Sequence, residues 1–378
     1  MRVPQRLSVL TAAAATTIAA AAALAGCGSP GLARPAASPV LRHSRAHARD
    51  YLSAVSCVSR TFCVAVGSDF GTGRSLAESW NGRRWRVMPG SPATTRLSSV
   101  SCTSTSFCMA LGAGSAQLWD GSRWWEVHTP RGAGSDVQAV SCARRSFCLA
   151  VGNGAAQRWN GSSWRVLPLP HSGLNLRSAD CLTASYCLAV GSQANHQGTL
   201  ARSRALLWDG RRWLATHPPS PGRTAELSGV ACRSRDGCVV VGWRGHCRQP
   251  PQPLGQRCFF SLRWDQNTWS RLPSRPGTPL VTSVACTAAG GCLASGDCNL
   301  TANCRGTIAL AWTGRVWRKR PALAPGRHGS SLEGVACWRR SWCLATGGQV
   351  SSSGALLTLA ESWNGRRWRV LATPSPVG

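Results

Sequence analysis

The apolar residues of this chain fall in short runs that are too brief for helices. In the first unit, apolar and β-branched residues fill positions 52–57 and 62–67 on either side of a polar turn. Two further runs, 75–80 and 85–88, flank Asn81-Gly82, a dipeptide that favours a tight hairpin turn. No window keeps a 3.6-residue period, so the pattern predicts four short strands per unit and almost no helix.

This unit occurs seven times. A copy reads Leu-x-x-Val-Ser-Cys, five residues, Cys-x-Ala-Val-Gly, a variable stretch and Ala-x-x-Trp-Asn-Gly-x-x-Trp-x-x-Leu-Pro, with substitutions. The first cysteines of successive copies are 39 to 54 residues apart, which is typical of one propeller blade. We therefore predict an all-β protein, a seven-bladed β-propeller over residues 51–378 with four antiparallel strands per blade. The repeats start near positions 52, 97, 137, 176, 227, 281 and 332.

The order of these segments resembles that of kelch repeats, with Gly after the second strand and Trp-x-x-Leu-Pro ending the fourth. The Asp-Gly-x-x-Trp turns also resemble the Asp-box of sialidase-like propellers, with one residue missing between Asp and Gly. Both resemblances imply a propeller and neither implies an active site. Repeat one starts on its first strand and repeat seven ends on its fourth. The fourth strand of each repeat therefore joins the next blade, or disulfides replace a strand that would lock the ring.

Fourteen of the 19 cysteines recur as Cys-x5-Cys, once in each repeat. Because each such pair joins the end of the first strand to the start of the second, the spacing predicts one disulfide-stapled hairpin per blade. These cysteines are Cys57, Cys63, Cys102, Cys108, Cys142, Cys148, Cys181, Cys187, Cys232, Cys238, Cys286, Cys292, Cys337 and Cys343. Outside the repeats, Cys247–Cys258 and Cys298–Cys304 are the simplest pairs, and cross-pairing between them stays open. The spacings do not match zinc sites, so we expect neither a metal nor a cofactor.

The N-terminus has the features of an export signal. Arg2 and Arg6 precede an apolar, Ala-rich stretch that ends in Leu24-Ala25-Gly26-Cys27. This ending resembles the lipobox of bacterial lipoproteins, which implies a signal peptide over 1–26 and a diacylated Cys27. An ordinary secretion signal is the alternative. Residues 27–50 are rich in Gly, Pro, Ala, Ser, Arg and His, and we interpret them as a flexible tether. We expect a protein that is lipid-anchored on the extracytoplasmic face of the bacterial cell membrane and touches the membrane through its anchor only.

The chain is strongly basic, with 43 basic and 14 acidic residues and a net charge of +29. All the basic residues except Lys319 are arginines, a bias that is also typical of GC-rich genomes. An exported protein with disulfides does not ordinarily meet nucleic acid. The charge therefore favours a protein or an anionic envelope polymer as the partner of a monomer, with a glycan as the alternative.

Each repeat carries a pair of tryptophans that flank its last hairpin turn, as Trp80 and Trp85 do, and in five of the seven repeats this turn begins with Asn-Gly or Asp-Gly. We predict that the two rings pair across the hairpin and that the pairs pack between adjacent blades. The alternative is a multivalent lectin that stacks sugars on one exposed tryptophan per blade.

Catalytic residues are scarce. Among the 14 carboxylates, those of Asp120, Asp209 and Asp265 occupy hairpin turns, and Asp180, Asp236 and Asp297 are the best candidates outside the repeat pattern. A sialidase-like site would need a tyrosine nucleophile, and the chain has only two tyrosines. The sequence therefore predicts a non-catalytic protein, and an extracellular glycosidase is the third hypothesis.

Length varies only in the loops between the second and third strands and in the links between repeats, which share one face of a propeller. The longest insertions lie in repeats four, five and six. We therefore predict a surface-anchored binding or scaffold lipoprotein that recognises its partner through this face of blades 4–6. The candidate binding rim consists of Trp243, Arg244, His246, Arg248, Arg257, Asn299 and Arg305.

Overall fold

The computed structural model describes residues 49–89, 96–112, 114–130, 136–195, 201–245, 257–274, 280–287, 289–296, 307–320, 322–323, 329–338 and 342–375. These residues form 28 strands and no helix. The strands of blades 1 to 4 are β1 (Asp50–Ser59), β2 (Phe62–Asp69), β3 (Ser75–Trp80), β4 (Trp85–Val87), β5 (Leu97–Ser104), β6 (Phe107–Gly112), β7 (Ser115–Trp119), β8 (Trp124–Val127), β9 (Val137–Arg144), β10 (Phe147–Gly152), β11 (Ala156–Trp159), β12 (Trp164–Val166), β13 (Leu174–Thr183), β14 (Tyr186–Ala194), β15 (Ala201–Trp208) and β16 (Trp213–Thr216). Those of blades 5 to 7 are β17 (Ala225–Cys232), β18 (Cys238–Gly245), β19 (Arg257–Trp264), β20 (Trp269–Leu272), β21 (Ser283–Cys286), β22 (Cys292–Gly296), β23 (Ile308–Trp312), β24 (Trp317–Lys319), β25 (Ser330–Cys337), β26 (Cys343–Val350), β27 (Leu356–Trp363) and β28 (Trp368–Leu371).

The strands form seven antiparallel sheets, and each sheet consists of four consecutive strands in chain order. This is the predicted seven-bladed β-propeller, with one blade per repeat. The fourth strand of every repeat stays in its own blade, so the alternative in which it joins the next blade is wrong. The first strand of each blade lines the central channel, and the fourth lies at the outer edge.

The meander gives the ring two different faces. One carries the β2–β3 loop of every blade and the links between blades, and we call it the loop face. The opposite face carries the turns between first and second strands, such as residues 60–61, and between third and fourth strands, such as residues 81–84. We call this the turn face. The predicted rim belongs to the loop face.

The repeated cysteines form the predicted disulfides in all seven blades, with Cα atoms 3.9–4.1 Å apart. Cys57 and Cys63, for example, are direct partners in the β1–β2 register. Each disulfide therefore joins the two innermost strands of a blade at its turn face.

The tryptophan pairs are also confirmed. Trp80 and Trp85 are opposite each other in the β3–β4 register, with ring centroids 5.8 Å apart. The Nε1–H of Trp80 donates to the carbonyl of Arg60 at 3.1 Å, which ties the outer hairpin to the disulfide turn of the same blade. Seven apolar clusters follow one another around the ring, one at each interface between blades. In each cluster, residues of the hairpin of one blade pack against the preceding blade.

The ring closes without a borrowed strand. Arg49 forms a parallel bridge with Leu356 at the start of β27, so the chain entering blade 1 lies along blade 7. The Tyr51 hydroxyl is 3.0 Å from the Ser331 Oγ of blade 7. The Tyr51 ring also covers Gly348, where a Cβ atom would approach a ring carbon to 2.5 Å. The contacts of the Tyr51 side chain therefore join blade 1 to blade 7 together with the backbone bridge of Arg49. Within the described residues, no helix is long and apolar enough to span a membrane.

Candidate functional site

Three of the seven predicted rim residues lie in the described part of the chain. Trp243 and Arg244 are near the end of β18, and Arg257 begins β19. These strands pair next to each other at the loop face of blade 5. The predicted rim residues that lie outside the described residues are His246, Arg248, Asn299 and Arg305.

Arg257 and Trp243 form a stacked pair at the base of the long insertion of blade 5. The Arg257 guanidinium carbon is 4.1 Å from the centroid of the Trp243 ring. Arg257 is exposed and Trp243 is half-buried, so the pair presents both a positive charge and an aromatic surface to solvent. Cys258, next to Arg257, is disulfide-bonded. Its predicted partner, Cys247, lies outside the described residues, as do Cys298 and Cys304.

A charged network lies beside this pair at the mouth of the central channel. Arg177 of blade 4 forms an ion pair with Glu226 of blade 5, with the Nε and Oε1 atoms 3.3 Å apart. The Nη1 of Arg177 also donates to the Gln138 Oε1 of blade 3 at 3.1 Å. The Ser192 hydroxyl donates to the second oxygen of Glu226 at 3.3 Å. Glu226 is also the register partner of Trp243, so the network adjoins the stacked pair.

Sequence reasoning did not find Arg177, Glu226 or Gln138. One signal was available for Gln138 and Arg177, because the residue that follows the first apolar position is polar in all seven repeats and is serine in only three of them. These residues are Ser53, Ser98, Gln138, Arg177, Ser228, Thr282 and Glu333, and all line the channel. A position that stays polar yet varies on an otherwise regular strand indicates the wall of a cavity.

The channel has a volume of about 380 Å³ and is lined by the first strands of all seven blades. Its hydroxyls serve mainly to join blades. The Ser56 Oγ accepts a hydrogen bond from the backbone N–H of Cys102 in the next blade at 3.0 Å. Ser101 and Ser141 do the same for the next two blades, each at 2.9 Å. The serine of the Val-Ser-Cys motif is therefore a link between neighbouring blades.

Asp180 takes the place of this serine in blade 4. Its Oδ2 accepts the N–H of Cys232 at 2.7 Å. Burial in the channel wall raises the pKa of Asp180 to about 6, although hydrogen bonds from Cys232, Cys181 and Ser141 oppose the shift. The carboxylate is thus engaged with the blade interface.

The two described candidate carboxylates, Asp180 and Asp236, do not lie together as a glycosidase pair would. Asp180 lines the channel, whereas Asp236 is an exposed residue of the β17–β18 turn and does not line it. Asp297 lies outside the described residues. Backbone N–H groups of their own hairpin turns lower the pKa of Asp209 and Asp265. The pKa of Asp120 is lowered first by the Nε1–H of Trp125 and then by backbone N–H groups of its turn. Among the described residues, no three His, Cys, Asp or Glu side chains are arranged to hold a metal ion.

The hairpin tryptophans do not offer one sugar-stacking surface per blade. Eleven of the fourteen are buried, and Trp213, Trp269 and Trp312 are half-buried. They pack in the interfaces between blades, so the lectin hypothesis loses the repeated site on which it rested.

No protein-family model and no curated protein matches this sequence. Solved β-propellers are similar in structure. A streptogramin B lyase matches with a TM-score of 0.53 and 9% identity over 87% of this chain and 95% of that one. The β-propeller domain of the Trilobed protease from Pyrococcus furiosus, described as having an open velcro topology, matches with a TM-score of 0.51 and 8% identity over 85% of this chain and 95% of that one.

The extracellular domain of a putative one-component system from B. thetaiotaomicron is also similar, with a TM-score of 0.52 and 9% identity over 81% of this chain and 38% of that one. At these identities the likeness shows the propeller fold alone. The fold is consistent with a binding or scaffold role, and the seven disulfides indicate an oxidising, extracytoplasmic compartment.

Proposed function

We propose that this protein is a non-catalytic binding lipoprotein that captures a protein or an anionic envelope component on the loop face of blades 4–6. Lipidation of Cys27 stays a prediction from the lipobox-like ending, and a kelch-like or Asp-box-like origin stays a resemblance. The observation that carries the proposal is the Trp243–Arg257 pair at the base of the longest insertion, next to the Arg177–Glu226 ion pair.

Physical chemistry favours binding at this place. Trp and Arg are enriched in the residues that dominate interface energies, because each combines a large contact area with directional polar groups. Arg257 is already stacked, so it loses little side-chain freedom when a partner approaches. The bond between Arg177 and Gln138 extends the polar surface across three blades.

The test replaces the stacked pair with the residues that blade 4 has at the same positions. Counted from the glycine after the second strand, Trp243 corresponds to Ser192, and counted from the hairpin, Arg257 corresponds to Ala201. We expect Trp243→Ser/Arg257→Ala in a fragment spanning residues 45–378 to lose crosslinks to the partner that the unaltered fragment captures from its own cell envelope. A loss of about tenfold or more corresponds to removing one interface hot spot.

The matched control is Arg83→Ser, which removes one arginine from the turn face and so changes the net charge by the same amount as the rim variant. The proposal fails if the control and the rim variant lose the partner equally, because the capture would then follow net charge. It also fails if the rim variant, checked for an unchanged melting temperature, retains full capture.

A groove between blades 4 and 5 favours a second function, recognition of a glycan at one site. The groove has a volume of about 480 Å³ and is lined by Trp269, His217, Gln266 and Asn267 among others. Gln266 has φ +79°, whereas the other six hairpin turns have glycine at this position. A side chain kept in a left-handed conformation costs free energy, which a ligand contact by its amide would explain.

The variant Gln266→Gly restores the residue of the other six turns. It should raise the free energy of unfolding by about 1 kcal/mol, because glycine adopts positive φ without strain. If the groove binds a glycan, the same variant weakens binding on an array of envelope oligosaccharides. An array on which the unaltered fragment binds nothing, or on which the variant binds equally, rejects this second function.

A further inference from the structure

The turn face carries a dense set of arginines that the proposed binding rim does not use. Thirteen described arginines lie on its turns, all exposed except the half-buried Arg233. They are Arg60, Arg83, Arg84, Arg123, Arg144, Arg145, Arg211, Arg212, Arg233, Arg235, Arg315, Arg366 and Arg367. The acidic residues described on the same turns are Asp120, Asp209, Asp236 and Asp265. Positive charges therefore exceed negative ones by nine.

Little of this charge is neutralised locally. Among the described residues, Arg212 is the one arginine of this set in an ion pair, with its Nε 3.8 Å from Asp209. The aspartates instead accept backbone N–H groups of their own turns. Asp120, for example, accepts those of Ser122 and Arg123. Arg123, Arg145 and Arg235 lie over the rings of Trp125, Phe107 and Tyr186, and these contacts leave their positive charge uncompensated.

The turns have a shared geometry. Every third-to-fourth strand turn contains four residues between its two tryptophans. In blade 1 the Asn81 side chain accepts the N–H groups of Arg83 and Arg84, each at 3.0 Å, and Asn364 does the same in blade 7. Every disulfide turn likewise has five residues between its cysteines. The arginines therefore occupy two concentric rings, an inner one on disulfide turns and an outer one on hairpin turns.

Trp125 adds an aromatic group at the rim of this face. It follows the hairpin turn of blade 2 and is 43% exposed. The Arg123 guanidinium carbon lies 3.4 Å from the centroid of its ring, and its Nε1–H donates to the Asp120 carboxylate. An exposed tryptophan beside arginines is typical of residues that sit at the headgroup level of a bilayer.

We infer that the turn face docks on an anionic phospholipid bilayer, which departs from the expectation that the protein touches the membrane through its anchor only. A bilayer presents phosphates over a plane, and two rings of arginines can meet such a plane with many contacts at once. Attraction between the turn-face arginines and the lipid phosphates would then orient the propeller with its loop face away from the membrane. The chain enters blade 1 at Arg49 on the loop face, and the 22 residues after Cys27 can span up to about 75 Å, at about 3.3–3.6 Å per residue. A lipid anchor at Cys27 is therefore compatible with this orientation, but the inference does not require it.

The test measures vesicle binding by the fragment 45–378, whose residues form one compact unit with all seven sheets. The variant Arg83→Ser/Arg84→Ser/Arg211→Ser/Arg212→Ser/Arg366→Ser/Arg367→Ser makes each altered turn end in Gly-Ser-Ser, as the native turn of blade 3 does after Asn160. On vesicles of equal parts phosphatidylcholine and phosphatidylglycerol, we expect about a hundredfold weaker binding than for the unaltered fragment. Vesicles of pure phosphatidylcholine should bind neither protein.

The matched control removes six exposed arginines from the loop face, namely Arg49, Arg74, Arg96, Arg202, Arg223 and Arg320. It has the same net charge as the turn-face variant. Full binding by the control supports docking through the turn face, whereas equal weakening of both variants overturns it. No binding of the unaltered fragment to the anionic vesicles also overturns it. The inference is likewise overturned if the unaltered fragment binds a soluble glycerol-phosphate polymer but not the vesicles. Thermal unfolding of both variants confirms that they are folded.

Discussion

The two halves of the ring bury different chemistry at the same position. Two residues before the first tryptophan of each hairpin, blades 7, 1, 2 and 3 have a polar side chain, and blades 4, 5 and 6 have leucine. All seven side chains are buried against the preceding blade. They are Glu361, Glu78, Gln117 and Gln157 in the polar half, and Leu206, Leu262 and Leu310 in the apolar half.

In the polar half, the carboxyl groups depend on specific partners. Glu361 accepts the N–H of Leu323 at 2.9 Å and lies 3.2 Å from the Thr307 hydroxyl of blade 6. At the interface between blades 7 and 1, Pro374 of blade 7 occupies the position that Leu323 has in blade 6. Proline has no N–H, so Glu78 lacks the donor that Glu361 has. Burial raises the pKa of Glu78 to about 8, the Thr358 hydroxyl opposes this, and Asp50 adds to it. The interface between blades 7 and 1, where the ring closes, should therefore lose stability as pH rises and Glu78 ionises.

In the apolar half, the leucines join continuous apolar clusters. Leu262 packs with Leu188, Val190 and Leu227 between blades 4 and 5, and it is fully buried. These are also the blades with the longest insertions on the loop face. The difference teaches that, at this one position, the interfaces beneath the inserted loops bury an apolar side chain that cannot titrate, whereas blades 7 and 1 bury a carboxyl group there.

The largest effect should come from moving the polar residue of one half into the other. Leu262→Gln removes apolar packing and buries an amide without partners, so the free energy of unfolding should fall by about 3–5 kcal/mol. Denaturant titration of fragment 45–378 measures it. The reciprocal change, Gln157→Leu, should cost no more than about 1 kcal/mol, because an apolar group of similar size replaces the amide. Equal losses for both would erase the distinction between the halves.

The next effect concerns pH. The pKa of Glu78 rises from 4.5 to about 8 on folding. Protonated Glu78 therefore contributes its full stabilisation below pH 4.5, and this is lost as pH rises through 8. Glu78→Gln keeps the neutral form, as blades 2 and 3 already do, and above pH 8 it should be more stable than the unaltered fragment by about 2–3 kcal/mol.

Unfolding curves at several pH values measure this difference. A residual slope is expected in the variant, because the pKa of Asp50 and that of Glu361 are each raised to about 7 by burial, with Asp69 adding to the shift of Asp50. Parallel pH profiles for the two proteins would show that Glu78 does not titrate at the interface between blades 7 and 1.

A smaller effect on stability is expected at Asp180, whose carboxylate joins blade 4 to blade 5 as a serine joins each of blades 1–3 to the next blade. Asp180→Ala leaves the N–H of Cys232 without its acceptor, which should cost about 1–3 kcal/mol of unfolding free energy. Asp180→Ser places there the residue that blades 1–3 use, and it should recover most of the loss. If serine does not recover stability, the carboxylate has a role beyond joining blades 4 and 5.

The smallest effect should be an increase in the free energy of unfolding. The Nε1–H of Trp317 donates to the Ser261 hydroxyl of the preceding blade at 2.8 Å, whereas the buried Nε1–H of Trp85 has no partner. Ala360 occupies in blade 7 the position of Ser261, so Ala360→Ser should stabilise the fold by about 1 kcal/mol. Ser261→Ala should cost a similar amount. No change in either variant would mean that these indole groups are satisfied in another way.

Much of the fold could be predicted because its signals are local. The apolar runs over 52–57 and 62–67, the Asn81-Gly82 turn and the spacing of Cys57 and Cys63 each act within one blade. The site was harder to predict, because Gln138, Arg177 and Glu226 belong to three different repeats, and the repeat position that Gln138 and Arg177 share does not show which side chains they contact. The rim was predicted from loop length, and the structure joined Trp243 to Arg257 within it.

The sequence by itself determined the number of blades, the strand order, the disulfides and the paired tryptophans, since each depends on residues a few positions apart. Only the tertiary structure decided which surfaces are available. It buried Glu78 and Glu361 between blades, used the channel hydroxyls as links and gathered the turn arginines on one face. The physical reason is that contacts between blades join residues about 40 to 50 positions apart, such as Ser56 and Cys102, and only the packing of neighbouring blades brings them together.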